Sequence, residues 1–217
     1  MSEEKDFVNG IIMPRKLYNQ IEELVVSLYV KHNIKKIPIN PFQIAVAEGY
    51  VLRKYSELPE EACEILRSKN IDGLNLFDKE LNAYVIFYDD SQSKHRQKFT
   101  IMHEICHIKM KHKEASDLAE HIANHFAAYA LAPTPLIYLY QCEDVFDVEW
   151  KFQISRKCAE YRFQSYQMWE EYQICKVYEN KLLNIFNDRS WCVCSRVTSR
   201  IAPTILDGLK TIKIRVC

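Results

Sequence analysis

Residues 103–107 read His-Glu-Ile-Cys-His, the one stretch of the chain whose residue types and spacing suit metal-assisted hydrolysis. On a helix, residues four apart share a face, so His103 and His107 can offer both imidazoles to one zinc ion. Glu104 lies about 100° further round the helix. There it can reach a water at the metal without being a ligand, the place of a general base. Composition alone gives such a pentapeptide roughly 2% odds in a chain of this make-up. A solvated helix face with two unrelated histidines is therefore the competing reading of the motif taken alone.

A catalytic zinc needs a third protein ligand and an open position. If the next helix returns antiparallel after a turn near residues 113–114, His107 falls opposite Glu120 and His103 opposite Asn124. Glu120 and Asn124 are themselves four apart and share a face. This register predicts His103, His107 and Glu120 as metal ligands, Glu104 as the base, and Asn124 as acceptor for the outer ring nitrogen of His103. Arg96, His112, His121, His125 and Tyr129 are candidates for further transition-state donors. His121 and His125 are also four apart, and form a competing metal pair or a pair of surface or core histidines.

The elements that must position these residues follow from periodicity. Leu17, Ile21, Leu24, Val25 and Leu28 predict a helix over 14–32, and Pro41 opens a short one ending at Gly49. Strands are expected over 51–55, 72–77 and 83–88, with a helix over 59–68 and a polar turn at 78–82. The metal helix should cover about 96–111. Its partner should run from Ser116, a suitable N-cap, to Leu131, where Pro133 and Pro135 stop it. One short and one long helix should fill 145–178. Tyr161, Phe163, Tyr166, Trp169 and Tyr172 on the latter read as core packing, with a substrate groove as the sharper alternative. Strands first and helices after make this an α+β chain: a small antiparallel or mixed sheet against a helical core carrying the metal helix, with extra C-terminal helices. The expected divisions are 1–36, an N-terminal helical segment; 37–140, the metallopeptidase core; 141–179, a helical extension; and 180–217, a tail of unknown role.

Composition narrows the setting. The 217 residues are 48% hydrophobic and 27% charged, with 29 Lys+Arg against 29 Asp+Glu, which is ordinary globular make-up. Balanced charge argues against general nucleic-acid or membrane-surface binding. The start is polar and no apolar run is long enough for a span, so a cytoplasmic protein is expected. The eight cysteines read as reduced thiols. Cys192, Cys194 and Cys217 lack zinc-ribbon spacing, and the basic bias of the tail (Arg189, Arg196, Arg200, Lys210, Lys213, Arg215) reads as a solvated end.

The block Arg96-Gln-Lys-Phe99-Thr100-Ile-Met-His103-Glu104-Ile-Cys-His107, followed by Glu120-His-Ile-Ala123-Asn124-His-Phe126-Ala127 and Leu131-Ala-Pro133, resembles the ImmA/IrrE metallopeptidases. The resemblance spans about residues 37–165. It implies a cytoplasmic zinc protease with His103, His107 and Glu120 as ligands and Glu104 as base. It also implies a protein substrate, a helix-turn-helix repressor of phage-like or stress-regulon type, cleaved to release its genes. A non-cleaving anti-repressor that binds the same partner is the alternative, and a hydrolase of non-protein amides a third. The family usually has Gly where this chain has Cys106. That position should point away from the metal, and its thiol raises the question of oxidation sensitivity.

Overall fold

A computed structural model of the protein describes residues 5–8, 11–112, 116–172 and 176–186. Two short strands, β1 (Lys5–Val8) and β2 (Ile11–Pro14), pair antiparallel ahead of α1 (Arg15–Lys31). The helical reading of 1–36 does not include this hairpin. Then come α2 (Pro41–Ala47), β3 (Val51–Lys54), a single 3-10 turn (Tyr55–Glu57), α3 (Glu60–Ser68), β4 (Gly73–Asp78) and β5 (Ala83–Tyr88). All-helical structure follows: α4 (Lys94–Met110), α5 (Asp117–Leu131), α6 (Thr134–Leu139), α7 (Val145–Phe152), α8 (Arg156–Tyr172) and α9 (Val177–Phe186). The expected turn at 113–114 and the features of the tail beyond 186 lie outside the described residues, as does the side chain of Tyr172.

The main sheet has the order β3-β5-β4. β5 pairs parallel with β3 (Val51 beside Val85) and antiparallel with β4 (Gly73 beside Tyr88, Asp78 beside Ala83). The sheet is thus mixed, and β4 lies at its edge. The β4–β5 turn is fastened by Asp78, whose Oδ1 accepts from the amides of Glu80 and Leu81 at 2.8 and 3.0 Å. Edge strand β4 approaches the metal helix closely at Gly73, where a Cβ would lie 2.3 Å from Thr100 Cγ2. Only glycine permits that approach without displacing a β-branched side chain.

Two helices form the centre. Ser93 caps α4, its Oγ accepting from the Arg96 amide at 3.2 Å, and Ser116 caps α5 through the Ala119 amide at 3.1 Å. The inner face of α4 buries Ile101, Met102, Ile105 and Cys106, and α5 buries Ala123, Phe126, Ala127 and Ala130. Alanines on α5 let the helices that flank it come close. Pro133 and Pro135 end α5 and at once begin α6, because a proline that cannot continue one helix suits the first turn of the next. Tyr166 is buried, and Phe163 and Trp169 pack on the core with Tyr138, so these three aromatics of α8 are core packing.

Candidate metal centre

The opposition of α4 and α5 brings three donors together. His103 Nε2 and His107 Nε2 approach to 2.9 Å. Glu120 closes the triangle, with its carboxylate oxygens 3.2 Å from His103 Nε2 and 3.4 Å from His107 Nε2. One donor atom from each residue lies within 4.8 Å of the others, the single such His/Cys/Asp/Glu group among the described residues. The imidazoles are mostly covered, while half of the Glu120 side chain is exposed, so the triangle opens to solvent on one side.

The outer ring nitrogens are engaged as well. His103 Nδ1 lies 3.1 Å from Asn124 Oδ1. His107 Nδ1 lies 3.0 Å from Nδ1 of His112. Burial pushes both imidazoles below the ordinary histidine range, and Glu120 opposes this. Neutral rings with a lone pair on Nε2 are the form that binds a metal. Two imidazoles and a carboxylate, convergent and open on one side, therefore fit a bound divalent ion.

Glu104 stands beside the triangle, on the side of the sheet. It is buried, and its Oε2 accepts 2.7 Å from Asn75 Nδ2 on β4. Burial raises its carboxyl to about 7; Asn75 works against the rise and the charge of Glu120 adds to it. The contact with Asn75 was not legible in the sequence. It depends on Gly73 bringing β4 against α4, and strand alternation then puts residue 75 on the same side as residue 73.

The other sequence candidates divide. Arg96 pairs with Asp72 (Nε to Oδ2, 2.5 Å), lies over the Phe99 ring, and is near enough to act on His103. His112 sits behind His107. His121, His125 and Tyr129 lie on the other side of α5. His121 Nε2 is 3.4 Å from Tyr18 OH, and His125 Nδ1 is 3.2 Å from Tyr161 OH. Tyr129 is wholly buried beneath the Arg162 guanidinium. Cys106 is fully buried, and burial pushes its thiol up. It therefore offers neither the exposure nor the thiolate that oxidation requires.

No helix among the described residues is long and apolar enough to cross a membrane. No curated protein and no solved structure matches the chain. Residues 64–164, which run from α3 through both helices of the site into α8, match the family model of the IrrE N-terminal-like domain, Peptidase_M78. This match over residues 64–164 supports the resemblance to the ImmA/IrrE family, and a domain of this kind points to a metallopeptidase-type function.

Proposed function

We propose that the chain is a zinc-dependent, site-specific endopeptidase. The observation that carries this is the convergence of His103, His107 and Glu120 beside a buried, proton-accepting Glu104. Two imidazoles and one carboxylate with room for a fourth partner are the donor set of hydrolytic zinc sites. When bound, the ion supplies Lewis-acid polarisation of the scissile carbonyl and acidifies the attacking water. His103, His107 and Glu120 hold it. Glu104 takes the proton from the attacking water and delivers it to the leaving amine, since a carboxyl raised to about 7 can both accept and return a proton near neutrality. Asn75 holds one carboxylate oxygen and leaves the other for this transfer.

The substrate, on the family resemblance, is a helix-turn-helix repressor met in the cytoplasm, and its cleavage releases the genes it holds down. An anti-repressor that only binds has no use for a buried carboxylate beside the donors, which favours cleavage. The test is Glu104→Gln. The variant keeps about one zinc per chain and loses some 10²–10⁴-fold of repressor-cleaving activity. Undiminished fragment formation by mass spectrometry would sink the role given to Glu104. Binding of the repressor without fragments from the wild type would favour the anti-repressor.

A further inference from the structure

Helix α4 ends at Met110, and Lys111 takes the left-handed conformation, with φ 55° and ψ 41°. A residue five beyond His107 would stand about 140° round a continuing helix, out of reach. The left-handed residue turns the chain back instead. The His112 amide donates to the His107 carbonyl at 3.0 Å, and the His112 ring meets the His107 ring edge to face, with centroids 5.0 Å apart. The two Nδ1 atoms come to 3.0 Å. His112 is thus attached to His107 by both its backbone and its ring, on the side away from Glu120 and His103.

This matters because a neutral imidazole carries one proton. If His107 Nε2 gives its lone pair to a metal, the proton sits on Nδ1 and needs an acceptor. His103 has such an acceptor in the Asn124 side-chain oxygen. We propose that His112 is a positioning residue which accepts the Nδ1–H of His107, fixing the tautomer and ring rotation that aim Nε2 into the metal triangle. The proposal rests on the metal-site reading above. It has His112 neutral, with its own proton on Nε2, and in contact with neither metal nor substrate.

The test is metal binding by the full chain, read by zinc competition against a chromophoric chelator and by the visible spectrum of the cobalt-substituted protein. His112→Phe fills the space without an acceptor, and should weaken zinc binding some 10–100-fold. His112→Asn places an amide oxygen close to where the ring nitrogen stood. It should bind within a few-fold of wild type, with unchanged cobalt bands because the ligands are the same. Wild-type affinity in His112→Phe would overturn the proposal. So would a His112→Asn variant as weak as His112→Phe, or one with shifted cobalt bands, which would make His112 a ligand. His103→Ala is the control. A wild type that binds no more zinc than this variant brings down the metal site itself, whereas loss in His103→Ala with no effect at 112 brings down the positioning role alone.

Discussion

Helix α5 carries similar chemistry on its two sides and puts it to opposite uses. Toward α4 it presents Glu120 and Asn124, which meet the i, i+4 pair His103 and His107. Away from α4 it presents its own i, i+4 pair, His121 and His125, which meets tyrosines and a glutamate of α1 and α8. On the α4 side the nitrogens converge on one point beside a half-exposed carboxylate. On the other side they diverge: His121 turns to Tyr18, while His125 lies between Tyr161 and Glu22, with Nε2 3.5 Å from Glu22 Oε1. Glu22 is also taken by Lys176 at 3.0 Å and Tyr178 at 2.7 Å. Spacing alone therefore does not make a metal pair. A third donor opposite and an anchor for each outer nitrogen select the rotamers that converge.

The largest effect that could break this contrast is on metal content. His103→Ala should take the protein from about one bound metal per chain to almost none. His121→Ala should leave it near one, because His121 is anchored to Tyr18 outside the triangle. Metal analysis of both variants after the same purification decides the matter. Retention in the first and loss in the second would reverse the assignment of the two sides.

The next effect is on stability, and it belongs to the other side. Glu22 is buried and answers the charge of Lys176 and the rings of His125 and Tyr178. Glu22→Ala leaves these groups covered without their partner, so chemical denaturation should show a loss of about 3–5 kcal/mol. Zinc per folded chain should not change. A loss under about 1 kcal/mol would mean that the cluster does not clamp α1 and α9 to α5.

The sign of the pH dependence follows from the same carboxylate. Burial alone would raise the Glu22 pKa, but the close approach of His125 and the charge of Lys176, with the hydrogen bond from Tyr178, outweigh it and lower the value to about 2. A carboxyl depressed in the folded state stabilises fully above its unfolded value, near 4.5, and loses that contribution as pH falls toward 2. The shift corresponds to about 3 kcal/mol at most. Glu22→Gln should flatten the part of the acid-unfolding curve between those pH values. An unchanged curve would place the acid sensitivity elsewhere.

Much of this frame was legible from local signals. Ser116 marks a helix start, the β-branched and aromatic run Tyr84 to Tyr88 reads as a strand, and the hydrophobic spacing of α1 is regular. The opposition of His107 to Glu120 and His103 to Asn124 was legible because two close antiparallel helices fix register by simple counting. What stayed hidden depends on tertiary contact or on backbone sign. Asn75 reaches Glu104 only because Gly73 lets β4 approach. His112 reaches His107 only because Lys111 is left-handed, and nothing in a lysine announces that. Glu22 meets Lys176 across 154 residues of chain. The β1–β2 hairpin had a signal, Asn9-Gly10 between apolar residues, that the stronger periodicity of α1 overshadowed.

The smallest effect gives the sharpest separation of the two sides. Ser116 satisfies the Ala119 amide at the start of α5, and Glu120 lies in that first turn, whereas His125 lies more than two turns in. Ser116→Ala removes the cap at a cost of about 1 kcal/mol. Fraying begins at the helix end, so the loss should fall on Glu120 before it reaches His125. Zinc affinity should drop about fivefold, the equivalent of that 1 kcal/mol. Hydrogen exchange should quicken at the amides of 119–121 and stay slow at 125–129. Equal quickening along the whole helix would mean that α5 opens as one unit, and that the metal side cannot loosen without the buried side.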